Sequence, residues 1–408
     1  MNHTRFKVAF FGVMVTAHAL EPADLTGTWD VISKGKVGEE FSNLTETRCV
    51  YRGDGTYSST GIDLLILPEQ ELRAITTGGL DAGTWEIKEG KLHSRISSME
   101  IDLFSSLLEE MGREEFDAMT PELLKEVDVY EQVSVAKDTV VLRDAEGMTV
   151  TMKRVTENPD EKTKDSGADP TAREGVDKDP LGERYRLTST AILRFEGFKA
   201  ANWLPTWKRR TGVGDQLRPT EEILDRLLCS YATVCWVVLS EDQLPSKNAQ
   251  AFLDTWKLRE SLTDTERDIL DTPRDQASEK FTDSVGWKIE NMWALAWVLG
   301  FEEMPDVYQP QIDSEGISAI WTFLSPAGTG KAKFLKDLKV RPLNEVVQLE
   351  DLFYGAHNAV RSAQTGKEGS VPSGFHPVMH GGIIHEKRHA LTWALSKGVK
   401  WEDTDLST

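Results

Sequence analysis

The chain has 408 residues, a length that suits two or three domains of ordinary size. Its formal net charge of −20 at pH 7 repels polyanions, which excludes nucleic acid as a partner and disfavours an anionic membrane surface. Apolar residues make up 39% and charged residues 28% of the sequence, proportions typical of a globular protein with some flexible sequence.

Residues 1–19 have the pattern of a signal peptide. Arg5 and Lys7 carry positive charge, and an apolar run over residues 8–17 follows them. Ala17 and Ala19 then give the small-x-small pattern that a signal peptidase cleaves. The apolar run is far shorter than the roughly twenty residues of a membrane span, and no later segment is apolar enough to be one. We therefore expect export to the periplasm or the extracellular space, without a membrane span.

Residues 20–155 are predicted to form an antiparallel β domain. Short runs of β-prone residues alternate with glycine turns, as in residues 139–142 (TVVL) and 148–152 (MTVTM). Residues 101–125 break this pattern, because their apolar side chains are spaced as in an amphipathic helix. The expected fold is a small antiparallel barrel that carries a helical insert.

Three short motifs occur in order within this β domain. They are Leu-Thr-Gly-Thr-Trp at residues 25–29, Asp-Gly-Thr-Tyr at 54–57 and Gly-Thr-Trp at 83–85. In these motifs the region resembles the lipocalin-like domains of exported bacterial proteins. The resemblance implies a small barrel that holds a small apolar ligand or an envelope protein, with the first tryptophan plugging one end. Another small antiparallel barrel or sandwich with the same turns is the alternative.

Residues 156–183 are predicted to be a disordered acidic linker. They contain almost no apolar residue, and acidic side chains, proline and glycine dominate. Such a stretch cannot bury enough apolar surface to fold. The length of the linker predicts that the two domains are tethered rather than rigidly docked.

Residues 184–408 are predicted to form an all-α domain. Helical patterns cover residues 219–239, 276–299, 349–364 and 384–395. Ten of the 12 tryptophans lie beyond residue 200. This density indicates a thick aromatic core between helices.

Five motifs of this helical region occur in the order found in one family. They lie at residues 218–223, 286–300, 351–361, 386–393 and 401–405. Through them, residues 200–408 resemble the domain of unknown function 4272 family. The resemblance implies an all-α domain and supplies no activity.

Charged residues on the apolar faces of these helices give a candidate polar pocket. Its residues are Glu290, His357, Arg361, Glu386 and Arg388. A buried charge is costly unless it is paired, so we expect the two glutamates to pair with the two arginines. Such pairs either form a structural network that fixes helix register or line a pocket for a small ligand or for acid–base chemistry.

The string His-Glu-Lys-Arg-His at residues 385–389 matches the H-E-x-x-H motif of zinc hydrolases. There, His385 and His389 would bind zinc and Glu386 would activate water. The two lysine and arginine side chains inside the string are unusual neighbours for a cation, and the metzincin continuation is missing. We therefore expect no cofactor, and keep zinc at these two histidines as the alternative.

The expected function is that of an exported two-domain protein whose domains are binding or interaction modules. The alternative is an enzyme with a polar site in the helical domain, including a metal-dependent hydrolase that uses His385, Glu386 and His389.

The three cysteines, Cys49, Cys229 and Cys235, are expected to be buried and unpaired. The last two lie nearly two helical turns apart, and the first lies in the other domain.

Overall fold

A computed structural model describes residues 19–37, 41–67, 72–99, 101–104, 121, 124–155, 180–201, 204–210, 216–307, 311–325 and 330–408. The predicted signal peptide up to residue 18, linker residues 156–179 and insert residues 105–120 and 122–123 lie outside the described residues. Within the described residues, strands come first along the chain, and the region after the linker is helical. This order confirms the predicted fold class.

The strands of the first region form a closed antiparallel barrel. They are β1 (Gly27–Val37), β2 (Phe41–Tyr51), β3 (Thr56–Leu67), β4 (Leu72–Lys88), β5 (Lys91–Ser98), β6 (Ile101–Phe104), β7 (Asp128–Ala136), β8 (Thr139–Arg143) and β9 (Thr149–Arg154). Eight strands pair in the order β4, β3, β2, β1, β9, β8, β7, β5, and β5 pairs with β4 to close the ring. The ninth strand, β6, pairs with β4 outside that ring.

Trp29 is buried in the barrel core near the start of β1. Its side chain is fully buried, and its indole Nε1 donates a hydrogen bond to the carbonyl of Leu25 at 2.6 Å, at the end of the short helix α1 (Pro22–Leu25). The Arg154 guanidinium lies 4.2 Å from the centre of the indole ring and donates to the carbonyls of Asp24 and Thr26. A buried indole needs such a hydrogen-bond acceptor, and the stacked cation covers its face.

The predicted insert does not begin as a helix. Residues Ile101–Phe104 form strand β6, so the prediction of a helix from residue 101 is wrong at its start. Strand β4 is 17 residues long, and β5 pairs only with its part from Ala82 to Lys88. The earlier part of that edge is left with unpaired backbone groups, and β6 takes up some of them.

The second region consists of helices around one core. They are α2 (Pro180–Phe195), α3 (Thr220–Val238), α4 (Ser246–Thr255), α5 (Asp264–Asp271), α6 (Arg274–Gly286), α7 (Lys288–Val298), α8 (Ser314–Leu324), α9 (Lys331–Asp337), α10 (Leu343–Gln364) and α11 (Met379–Ala394). Helix α7 packs against α11, α3, α6 and α8, while α10 packs against α11 and α2. Helix α2 begins at Pro180, inside the stretch predicted to be linker, because proline favours the first turn of a helix.

The barrel and the helices are in direct contact. Helix α2 packs against β3 and β4, and α10 packs against β6. Ile62 of β3 is only 2% exposed and lies in the core of the helical region. Arg194 forms an ion pair with Glu46 across the same boundary. The barrel is therefore docked on the helices, in contrast to the expected loose tethering.

The three cysteines are free and buried, as the sequence predicts. Among the described helices, none has the length and apolar character needed to cross a bilayer.

Candidate functional site

Helices α10 and α11 place the polar side chains of the candidate site deep between them. Glu350, Asp351, Tyr354 and His357 follow one another along α10, and all four are almost completely buried. Arg388 comes from the middle of α11 and is 1% exposed. Because residues three and four positions apart share a helix face, each helix brings its polar groups to the same side.

Three guanidinium groups surround the ring of Tyr354. The carbon at the centre of the guanidinium lies 4.0 Å from the ring centre for Arg210, 4.7 Å for Arg388 and 5.5 Å for Arg186. We call Arg186, Arg210 and Arg388 the arginine cluster. The face of an aromatic ring attracts cations, so Tyr354 helps to hold three like charges close together.

Two carboxylates neutralise two of these three charges. Arg186 binds Asp351 through Nε at 3.1 Å and Nη2 at 2.7 Å. Arg210 binds Glu350 with both terminal nitrogens, and Thr392 donates a hydrogen bond of 2.7 Å to the same carboxylate. Paired contacts of this kind between a guanidinium and a carboxylate are the strongest form of ion pair in proteins.

Arg388 has no such carboxylate. Its Nη1 contacts His357 Nδ1 at 2.5 Å and the carbonyl of Leu406 at 2.8 Å, and its Nη2 donates to the carbonyl of Ser407 at 3.0 Å. Its buried Nε has no hydrogen-bond partner among the described residues. Burial lowers the pKa of Arg388 to about 10; the negative charge of Glu350 opposes this shift, and the positive charge of Arg210 adds to it. The cluster thus carries one positive charge that no carboxylate binds directly.

His357 is held in its neutral form by this environment. Burial lowers its pKa to about 3, and the positive charge of Arg388 acts in the same direction. Because a guanidinium can only donate, His357 Nδ1 must be the acceptor in the contact between the two. The imidazole is therefore uncharged near neutral pH.

The predicted pairing of Glu290 and Glu386 with Arg361 and Arg388 is wrong. Glu290 lies 3.5 Å from Lys387 Nζ, a fully buried ammonium that sits 4.2 Å above the ring of Trp293. Burial raises the pKa of Glu290 and lowers that of Lys387, which marks a dehydrated pair away from the arginine cluster. Spacing along a helix predicts on which face of the helix a residue lies. The residue that it contacts on another helix depends on how helices far apart in the sequence pack together.

The other two predicted partners are placed near the surface. Arg361 is exposed and donates to Gln364 at 2.6 Å. Glu386 contacts His385 Nδ1 at 3.2 Å. Burial alone would raise the pKa of Glu386, but the hydrogen bond and charge of His385 keep that pKa below its usual value. Of the predicted set, the structure therefore brings only His357 and Arg388 into contact with each other.

The two histidines of the H-E-x-x-H string are turned toward different partners. The ring centres of His385 and His389 lie 6.3 Å apart. His389 stacks on Trp401 at 4.1 Å, and its Nε2 bonds to the carbonyl of that residue at 2.9 Å. A ring nitrogen that donates its proton to a carbonyl has no lone pair to offer a metal. The described residues contain no group of three or more side chains arranged as metal ligands.

Sequence reasoning missed four residues of the site: Arg186, Arg210, Glu350 and Asp351. A signal for the two acidic residues was present, because they stand side by side in an apolar stretch of a helix (VVQLEDLFYGA). Two buried carboxylates require two cations nearby. The identity of those cations could not be predicted, since they come from α2 and from the loop before α3.

A cleft that includes Trp401 in its lining lies next to residues 404–408 in the sequence. Its volume is about 720 Å³, and its walls come from α3, the start of α5 and residues 398–403. Arg218 and Trp393 line it, with the guanidinium 4.1 Å from the ring centre. Residues 398–403 thus form a wall of the cleft before the chain passes over the arginine cluster.

Known proteins were compared with the chain by overall structure, by sequence and by family profile. One similar solved structure is a lipocalin-like protein from Bacteroides uniformis ATCC 8492, at 12% sequence identity and a TM-score of 0.19. The match covers 32% of this chain and 99% of the chain of that protein. The barrel assignment rests on the strand pairing described above rather than on this likeness. No curated protein matches the chain significantly. A family profile described as "Domain of unknown function (DUF4272)" matches residues 185–404, more than half of the chain. The chain therefore belongs to the DUF4272 family, whose domain forms its helical half.

Proposed function

We propose that this protein is a binding protein and that its helical domain binds an anionic group at the arginine cluster. The observation that carries the proposal is the count of charges at Tyr354. Three guanidiniums face two buried carboxylates. Arg388, the most deeply buried of the three, is hydrogen-bonded only to a neutral imidazole and to carbonyls, and the carboxylates of Glu350 and Asp405 act on it without a direct contact. A buried charge that no carboxylate binds directly is costly, so an anion that reaches Arg388 would relieve this cost.

The state of His357 favours binding over acid–base catalysis. A general base works best when its pKa lies near the operating pH. The pKa of His357 is about 3, because the ring is buried and lies beside Arg388. Such a ring accepts hydrogen bonds well but takes up a proton poorly near neutral pH.

The described interior of the barrel adds a second reason to look for the ligand in the helical domain. Trp29, Trp85, Tyr51 and Leu92 are buried in the barrel core, with further aliphatic residues around them. These large side chains take up space in the part of the interior that the structure describes. The proposal of an apolar ligand in the barrel therefore has less support than that of an anion at Arg388.

Inorganic phosphate is a suitable first probe of the arginine cluster. At ten times its dissociation constant, a ligand that binds only the folded state raises the free energy of unfolding by about 1.4 kcal/mol. We expect this rise for the unaltered chain and for Arg361→Gln, which removes an exposed arginine of the same helical domain. We expect it to disappear in Arg388→Gln.

Arg388→Lys keeps a cation at the site and serves as a second variant if Arg388→Gln folds poorly. It should retain weakened binding, because an ammonium cannot donate in the two directions of a guanidinium. Phosphate binding that is equal in the unaltered chain and in both Arg388 variants would contradict the proposal.

We also propose that the protein is exported. Support comes from the positive residues, the apolar run and the Ala-His-Ala pattern of residues 1–19. Leu20, the first residue after the expected cleavage site, packs in the barrel core. Edman sequencing of the mature protein tests this: a first residue of Leu20 supports export, and an intact start of the chain in the cytosolic fraction contradicts it.

A further inference from the structure

Residues 404–408 lie over the arginine cluster and occupy the donors of Arg388. The guanidinium donates from Nη1 to the carbonyl oxygen of Leu406 and from Nη2 to that of Ser407. Two successive peptide carbonyls thus share one side chain. The flat fork of a guanidinium suits this arrangement, because its terminal nitrogens point in parallel directions. Arg388 therefore holds a peptide backbone, which is a different task from holding a compact ion.

Asp405 brings a negative charge to the same place. Its carboxylate accepts a hydrogen bond from the backbone N–H of Ser407 at 2.9 Å, the main reason that its pKa is below the usual value. The positive charges of Arg388 and Arg210 lower that pKa further. The acidic side chain therefore lies within the field of the cluster, although no guanidinium binds it directly.

These residues are held weakly compared with the part of the chain that precedes them. Residues 404–408 form neither helix nor strand. In the described structure, the hydrogen bonds that join Leu406 and Ser407 to other parts of the protein come from Arg388 alone. Trp401, by contrast, stacks on His389 and meets Trp393 edge-on at 5.4 Å. Thr404 donates from its hydroxyl to the carbonyl of Trp401 at 2.8 Å, so the residues after Thr404 can leave the cluster while Trp401 stays in place.

We propose that residues 404–408 are an internal ligand, and that the arginine cluster binds an acidic peptide segment of another protein in their place. This inference rests on the proposed function, since it names the class of anion that reaches Arg388. A peptide satisfies the site in the way the chain itself does, with backbone carbonyls on the guanidinium and an acidic side chain beside it. The neighbouring cleft extends the available surface along residues 398–403.

The test compares the full chain with a chain that lacks residues 404–408. The probe is an amidated synthetic peptide with the sequence of residues 403–408, and calorimetry measures its affinity. We expect the shortened chain to bind the peptide at least about tenfold more tightly than the full chain does, a difference of about 1.4 kcal/mol. The same peptide with Asp405→Asn should bind the shortened chain more weakly, and inorganic phosphate should compete with the unaltered peptide.

The outcomes separate this inference from the proposed function. Equal peptide affinity of the two chains overturns the internal ligand. A shortened chain that binds phosphate but no peptide overturns the peptide class and leaves the anion site standing. Failure to bind either probe overturns the proposed function itself. If the shortened chain melts at a lower temperature, the full-length Asp405→Asn chain takes its place, and we expect it to bind the peptide more tightly than the unaltered chain.

Discussion

At the scale of single residues, the contact between His357 and Arg388 decides what the site can do. Both residues belong to the pocket that the sequence predicts, because charges on apolar helix faces need partners. The sequence could not predict that they would contact each other, since they lie on different helices and the two side chains do not have opposite charges. The contact forms because a neutral imidazole can accept a hydrogen bond from a buried guanidinium.

The neutral state of His357 predicts a specific loss of stability in acid. Its pKa is about 3 in the folded protein, whereas an unperturbed histidine has a pKa of 6.5, so the unfolded chain binds the proton more readily. The stabilisation is complete above about pH 6.5 and is lost as the pH falls toward the folded value, by up to about 1.4 kcal/mol per pH unit.

Urea unfolding at several pH values below neutrality measures this loss. His357→Asn keeps an acceptor for Arg388 but has no titrating group, so the free energy of unfolding should fall less steeply with acidification than in the unaltered chain. A slope that is the same in both chains would show that His357 is not held neutral by the fold.

At the scale of helices and strands, the sequence predicts existence well and boundaries less well. The pattern at residues 219–239 matches helix α3 (Thr220–Val238) closely. The single helix predicted at 276–299 is instead two helices, α6 and α7, which meet at Trp287. Helix α11 begins at Met379, five residues before its predicted start, although Gly381 and Gly382 lie in that first part. Tertiary packing overrides the low helix propensity of glycine there.

Gly382 explains why this packing needs glycine. A methyl group on its α-carbon would lie 2.6 Å from the nearest ring atom of Trp287, the residue at which α6 and α7 meet. The indole ring would have to turn toward solvent, where it is already 36% exposed, or the helices would have to shift. The close approach of α11 to the junction of α6 and α7 depends on the missing side chain.

Gly382→Ala should therefore destabilise the protein by about 1 kcal/mol, the low end of the range for an added methyl group that displaces its neighbour, because Trp287 is partly exposed. Gly286→Ala is the matched control, because a methyl group there meets no atom within 4 Å. The control should stabilise slightly, by about 0.4–1 kcal/mol, through reduced freedom of the unfolded chain. Thermal unfolding of both variants measures the difference; an equal effect of the two substitutions would rule out the packing explanation.

At the scale of the whole molecule, the contact between barrel and helices is what the sequence could not predict. An acidic, proline-rich stretch between two regions predicts a flexible tether. Its composition carries no information on whether the surfaces of the two regions bind each other. Ile62 is one such surface residue: it belongs to a barrel strand and is buried in the helical core. An isoleucine at this place cannot be distinguished in sequence from one inside the barrel.

Ile62→Ala tests whether this docking stabilises the molecule. Truncation of a buried isoleucine costs about 2–5 kcal/mol. We expect the full chain with Ile62→Ala to lose stability in its helical half. Thermal unfolding followed by tryptophan fluorescence measures this loss, since ten of the 12 tryptophans lie beyond residue 200. Val133→Ala, which alters an exposed barrel residue, is the control and should have little effect. Tryptophan signals that unfold at the same temperature in all chains would show that the two halves are energetically independent.

The three buried cysteines have a consequence for the folded protein as a whole. Burial raises the pKa of Cys49 and of Cys235 to about 11, and that of Cys229 to about 12. The reactive thiolate form is therefore scarce near neutral pH, and no cystine bridge is needed to hold either core together. We therefore expect the melting temperature to be the same in dithiothreitol and in glutathione disulfide. The stability of the folded protein should not depend on whether its surroundings are reducing or oxidising.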